Sequence, residues 1–125
     1  MDSKPTVPWR IVIADDKADI RLLLTTRLAL VPQLELVGEA ANGSEAVDIT
    51  RRLRPDAIIL DLHMPVMSGT EAMPILRGLH PGLRILVYSA QSDRFSLEGP
   101  AKPDAALVKG VELQIVVDTL LRLLG

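Results

Sequence analysis

The sequence predicts an α/β fold, a five-stranded parallel sheet doubly wound in the order 2-1-3-4-5 with helices on both faces. Three observations predict it. Short apolar runs bounded by turn residues alternate with segments of helical period along the whole chain. The runs are apolar at consecutive positions, which suits strands covered on both faces. Four of them end abruptly on polar residues, and in an open parallel sheet such strand ends line the edge where ligands bind.

The first run is Arg10-Ile11-Val12-Ile13-Ala14, ending on Asp15-Asp16. From Asp16 to Val31 the apolar positions Ile20, Leu23, Leu24, Leu28 and Val31 follow a helical period, which Pro32 ends. Leu34-Glu35-Leu36-Val37 reads as a short strand, and Gly38 to Gly43 as a turn-rich link. Ser44 is placed to cap a helix whose narrow apolar face is Ala46, Ile49 and Leu53, with Pro55 as its stop. Ala57-Ile58-Ile59-Leu60 is the next strand, and Asp61 stands at its end, followed by a turn through Pro65 and Gly69. Ala72, Ile75, Leu76 and Leu79 give Thr70 to Leu79 a helical face, with Pro74 expected in its first turn or at a bend.

After the His80-Pro81-Gly82 break, Arg84-Ile85-Leu86-Val87-Tyr88 ends on Ser89. The pattern weakens from Gln91 to Asp104, where a short helix over 92–98 must stop before Gly99-Pro100. Ala105-Ala106-Leu107-Val108 is the fifth strand and ends on Lys109. The last helix carries Leu113, Val116, Val117, Leu120, Leu121 and Leu124 on one stripe, with Ile115 opposite; one exposed apolar residue is ordinary. The winding order places the Asp15-Asp16 strand beside the Asp61 strand, where the direction of winding reverses.

At 125 residues the chain is the size of one domain, able to bury roughly two thirds of the surface its unfolded form exposes. Residues 1–9 read as a disordered lead-in and residues 10–125 as the domain. Apolar residues make up 48% and aromatics 2%, so the core is aliphatic and offers no stacking platform for single-stranded nucleic acid. A net charge of −2 shows no basic footprint for direct nucleic-acid binding. With no cysteine there is neither a disulfide framework nor thiol chemistry, which fits a reducing cytoplasm. No apolar run approaches the ~18 residues of a membrane span.

Three carboxylates gathered at one edge repel one another unless a cation offsets them. A hard divalent ion suits them, and Mg²⁺, which keeps part of its water shell and binds phosphate oxygens, suits a site with few protein ligands. A carboxylate is also a nucleophile toward phosphorus. For such a transfer between anions, cations around the phosphoryl oxygens supply most of the catalysis, and Lys109 is placed to be one of them.

The order and spacing of Asp15-Asp16, Asp61, Ser89 and Lys109, together with the Asp61, Pro65 and Gly69 turn, resemble the receiver domain of two-component response regulators. The resemblance covers nearly the whole chain. It is greatest to CheY-like receivers of the NarL/FixJ (LuxR-type) family, which are attached to a helix-turn-helix output. The resemblance implies a flavodoxin-like fold and a cytoplasmic signalling domain that promotes only its own phosphorylation and dephosphorylation, not an enzyme acting on other substrates. It implies that Asp61 takes a phosphoryl group from a sensor histidine kinase, with Mg²⁺ held by Asp16, Asp61 and the main-chain carbonyl of His63, and by Asp15 through water. Ser89 would bond a phosphoryl oxygen and move inward on phosphorylation. The side chains of His63 and Gln91 would tune the lifetime of the phosphorylated state. The partners implied are the kinase, a DNA-binding effector domain outside this chain and, on activation, a second copy.

The chain departs from the family at the position three before Lys109, where receivers usually carry an aromatic switch residue and this chain has Ala106. Lys102-Pro103-Asp104-Ala105 replaces the usual Gly-Ala-Asp-Gly turn, and Gly110 follows the lysine in place of proline, so no cis peptide is expected there. These departures favour, as an alternative, a pseudo-receiver that serves only as an interaction domain. A small Mg²⁺-dependent phosphatase with an Asp nucleophile wants Asp-x-Asp and a cap over its site, whereas Asp15 and Asp16 are adjacent and little length is spare. A flavin carrier wants a hydroxyl-rich loop after the first strand and flanking aromatics, which are also missing.

Overall fold

The computed structural model describes residues 7–90 and 101–125. Gln91, the short helix expected at 92–98 and most of the lead-in therefore lie outside the described residues. Five strands, β1 (Trp9–Ala14), β2 (Leu34–Ala40), β3 (Ala57–Leu60), β4 (Arg84–Ser89) and β5 (Ala105–Val108), form one parallel sheet in the order β2-β1-β3-β4-β5. Helices α1 (Ala18–Leu28), α2 (Gly43–Leu53), α3 (Gly69–Leu79) and α4 (Leu113–Leu124) cover it.

Alternate residues of each strand point to opposite faces, so the sheet divides the core in two. On one face Val12, Ile58, Leu60, Ile85 and Val87 pack with Ala46 and Val47 of α2 and Ala72, Met73 and Leu76 of α3. On the other, Ile11, Ile13, Ile59, Leu86 and Tyr88 pack with Leu24 and Leu28 of α1 and Val116, Val117 and Leu120 of α4. β3 is buried at all four residues, as its unbroken apolar run requires.

The structure corrects several boundaries. β1 starts at Trp9, which pairs with Leu34, one residue inside the span read as lead-in. β2 continues through the stretch read as a turn, because β1 offers paired backbone groups up to Ala14 opposite Ala40; a register shift between Ile11 and Val12 absorbs the odd residue. The cap of α2 is Asn42, not Ser44: Asn42 Oδ1 accepts from the Glu45 N–H at 2.9 Å, and Glu45 Oε1 accepts from the Ala41 N–H at 2.7 Å. α1 is shorter than the Asp16 to Val31 period suggests. Lys17 is its N-cap, with its own N–H held by Asp15 Oδ1 at 2.9 Å, and tight bonds from Leu30 to Arg27 and from Val31 to Leu28 close the other end. Pro74 lies inside α3 beyond the first turn. The N–H it lacks would have met the carbonyl of Thr70, an exposed residue.

Gly69 fixes how α3 meets β3. Its N–H donates to the Leu62 carbonyl at 2.9 Å, and a Cβ there would stand 2.0 Å from the Asp61 carbonyl oxygen. A capping box between Ser68 and Glu71 holds the same turn. Gly69→Ala is therefore expected to destabilise the fold by about 1–3 kcal/mol or more, as overpacking against backbone does. Gly78→Ala in the same helix, where a Cβ meets nothing within 4 Å, is expected to be neutral or to stabilise by up to about 1 kcal/mol. Urea denaturation of the two variants checks both; equal losses would show that the contact with Asp61 is not what selects glycine.

Candidate functional site

Backbone pairing brings the acids together. Ala14 pairs with Leu60, and the next residue of β3 continues the ladder, with the Asp61 N–H donating to the Ala14 carbonyl at 2.9 Å. Asp15 follows Ala14 and donates its own N–H to Ala40 at 3.0 Å. Asp15 and Asp61 are thus neighbours by register, 2% and 3% exposed, while Asp16 is on the rim. Carboxylate oxygens of Asp15, Asp16 and Asp61 lie within 4.8 Å of one another.

Lys109 reaches this cluster from β5, across the tip of β4. Its N–H donates to the Ser89 carbonyl at 3.0 Å, and its Nζ is 2.7 Å from Asp15 Oδ2 and 3.4 Å from Asp61 Oδ2. Burial works to lower the pKa of this lysine, but the hydrogen bond and charge of Asp15, then those of Asp61, outweigh it, so the pKa is raised above 10.5. A raised lysine pKa makes its contribution to stability complete below the unfolded-state value, to be lost as the pH climbs through the folded one. The pair is therefore intact across the neutral range.

Both carboxylate oxygens of Asp15 are engaged, one by Lys109 and one by the Lys17 N–H. Among the described residues, Asp16 has only the exposed Lys17 ammonium, at 3.7 Å. One lysine against three converging acids leaves the donor set negative, all-oxygen and open on the Asp16 side, which fits a hard divalent cation. Ser89 is fully buried and its Oγ has no hydrogen-bond partner among the described residues. A buried hydroxyl left unpaired costs about 1–3 kcal/mol, so this one is short of an acceptor.

The other expected residues are less central. The His63 side chain is exposed. Ala106 is half-buried, pairs with Val87 and packs on the α2 and α3 side of the core. Val66, in the loop that follows Asp61, has φ 67 and is 85% exposed, an unusual backbone for a β-branched residue. The described backbone has no cis peptide.

Sequence reasoning missed Arg21. Its Nη1 donates to the Asp15 carbonyl at 2.6 Å and its Nε to Glu39 Oε1 at 3.1 Å, so one guanidinium ties α1 and β2 to the acidic turn. A signal was present, since a cation near a helix N-terminus opposes the helix dipole and calls for an acidic or carbonyl partner.

A family profile described as response regulator receiver domain matches residues 11–113. Among curated proteins, the chain is 44% identical over 81 residues to a protein-glutamate methylesterase/protein-glutamine glutaminase of Carboxydothermus hydrogenoformans, covering 65% of this chain and 24% of that protein. It is 33% identical over 107 residues to the nitrate/nitrite response regulator protein NarL of Escherichia coli, covering 84% of this chain and 50% of that protein. The chain thus spans a quarter to a half of the length of these relatives. A solved two-component response regulator of the LuxR family from Aurantimonas superposes with a TM-score of 0.85 at 26% identity, covering 94% of this chain and 86% of that one. With the profile spanning most of the sheet and its acidic edge, the chain belongs to the response regulator receiver domain family.

Proposed function

We propose that residues 10–125, with Trp9 as the first paired residue of the sheet, form a phosphoacceptor switch in which Asp61 takes a phosphoryl group from the phosphohistidine of a cytoplasmic sensor kinase. The observation that carries this is the convergence of Asp15, Asp16 and Lys109 on a buried Asp61. An Asp61 carboxylate oxygen forms the new bond to phosphorus while the phosphorus to nitrogen bond breaks, and the imidazole keeps that electron pair and leaves. Asp61 is fixed for the attack by its N–H bond to Ala14 and by Lys109. Lys109 also supplies a charge that a phosphoryl oxygen meets without rearrangement of the site.

Asp16 and Asp61, with the main-chain carbonyl of His63, would hold Mg²⁺, and Asp15, already committed to Lys17 and Lys109, would act through water. The ion when bound draws charge from the phosphoryl oxygens. Ser89 then gives its unpaired hydroxyl to one of those oxygens, which supports its role as the residue that senses the acyl phosphate. Ala106 stands where an aromatic switch residue is usual, so the Ser89 movement is read by small side chains and the coupling differs from that of other receivers. Transcriptional output through a DNA-binding domain, as in NarL-type regulators, is part of the same reading.

Incubation with acetyl phosphate and Mg²⁺ is expected to add the mass of one phosphoryl group to the native chain and none to Asp61→Asn, read by intact-mass spectrometry. A modified Asp61→Asn chain would move the acceptor elsewhere, and an unmodified native chain would favour the interaction-only reading. Arg21 positions Asp15, so Arg21→Ala is expected to weaken Mg²⁺ binding by about 10-fold, the effect of removing an outer partner of a ligand, with Arg21→Lys partly restoring it. Calorimetric titration with Mg²⁺ measures this; unchanged affinity in Arg21→Ala would leave the arginine a purely structural tie.

A further inference from the structure

Lys17 is at odds with the helix it begins. It is the N-cap of α1, where a short polar side chain would accept from one of the unpaired N–H groups, yet its side chain makes no capping bond. It also brings a positive charge to the end of a helix that the backbone dipole already makes positive. The helix therefore gives no reason for a lysine here. The acidic turn does. The Lys17 N–H donates to Asp15 Oδ1 at 2.9 Å, which tethers the residue to the turn whatever rotamer its side chain takes, and its Nζ lies 3.7 Å from Asp16 Oδ1.

The cluster divides between two lysines. Asp15 and Asp61, both buried, face Lys109 at 2.7 and 3.4 Å, while the salt-bridge partner of Asp16 among the described residues is Lys17. Three carboxylates set against Lys109 alone leave two negative charges, and Lys17 leaves one. Arg21 stays out of this balance at Asp16, because its guanidinium is committed to the Asp15 carbonyl and to Glu39.

We propose that the Lys17 ammonium is a built-in competitor for the divalent cation at Asp16: it pairs with the exposed carboxylate when no metal is bound and must give way before Asp16 can serve as a ligand. The proposal rests on the reading of Asp15, Asp16 and Asp61 as a divalent-cation site. A lysine suits the part, since it carries a point charge on a flexible stem. At 59% exposure its side chain can swing into water, whereas Lys109, 16% exposed and shared between two buried carboxylates, is fixed. An exposed pair of this kind contributes little to the stability of the fold. Toward a doubly charged ligand the same ammonium acts twice, by occupying Asp16 and by repelling what would replace it. The consequence is a site of lowered affinity, which responds to cation concentration in a higher range than the three acids and Lys109 alone would set.

Calorimetric titration of the 125-residue chain with Mg²⁺ at low ionic strength tests it. Lys17→Gln is expected to bind Mg²⁺ about three- to tenfold more tightly than the native chain, and Lys17→Glu more tightly still. Lys17→Arg, which keeps the charge, is expected to show no gain. Because the ammonium is exposed, the advantage of Lys17→Gln over the native chain should shrink as NaCl is raised from about 20 mM to about 0.5 M. The bond to Asp15 is made by the main chain, so every variant retains it, and circular dichroism melts should match that of the native chain. Native and Lys17→Gln chains that bind Mg²⁺ equally, or a Lys17→Gln chain that binds more weakly, overturn the role of Lys17 and leave the divalent site standing. A gain that Lys17→Arg shares, or that high salt leaves unchanged, overturns it too. No binding by any of the four chains overturns the divalent site and the proposal together.

Discussion

Two carboxylates buried side by side are the constraint on which the rest of this structure depends. Asp15 and Asp61 are almost wholly out of water, where a charge is tolerable only with a partner and satisfied hydrogen bonds. Lys109 is shared between them, and its raised pKa reflects how strongly they hold its proton. Removing Lys109 would leave both buried carboxylates without a cation. The parallel register meets that need: β1 and β3 end level, Ala14 opposite Leu60, while β5 runs two residues further, to Val108, before Lys109.

The loop after Asp61 is built around the same need. Gly69 lets α3 start against the Asp61 carbonyl, and Gly43 lets α2 start against Met67 and Ser68, where a Cβ would stand 2.6 Å from the Met67 carbonyl oxygen. Two helix N-termini are thus locked onto one loop, which the Ser68 and Glu71 capping box also holds. Val66, between these fixed points, has a backbone that costs about 1–3 kcal/mol and an apolar side chain in water. A strained residue persists where its surroundings determine the chain path, and here those surroundings also position Asp61.

The sheet and the identities of the converging residues were legible because both depend on local pattern. Apolar runs ending on Asp15, Asp61, Ser89 and Lys109 announce strands and their tips, and parallel winding does the rest. What was illegible depends on partners distant in sequence. β2 extends to Ala40 because β1 supplies its ladder, and no residue between Gly38 and Ala40 says so. Asn42 displaces Ser44 as the cap because Gly43 must lie against Met67 before the helix can turn. Arg21 looked like one more polar residue on a solvated helix face, since its partners Asp15 and Glu39 come from two different strands. Leu22 and Leu30 fall outside the period from Ile20 to Val31 and are exposed, and Leu23, which belongs to that period, is half-exposed as well.

The hydrogen-bond accounts of the two sides of the site differ. At Asp15 the N–H, the carbonyl and both carboxylate oxygens all have partners, in Ala40, Arg21, Lys17 and Lys109. At Ser89 the backbone is paired to β5, yet the buried hydroxyl has none among the described residues. Asp15 is thus fully paired while the Ser89 hydroxyl, among the described residues, is not. In the proposed switch that is the asymmetry: the free energy of pairing a desolvated hydroxyl becomes available only when an acceptor oxygen is delivered to Asp61. Ala106, small and half-buried on the neighbouring strand, leaves the β4 end free to respond without moving a ring.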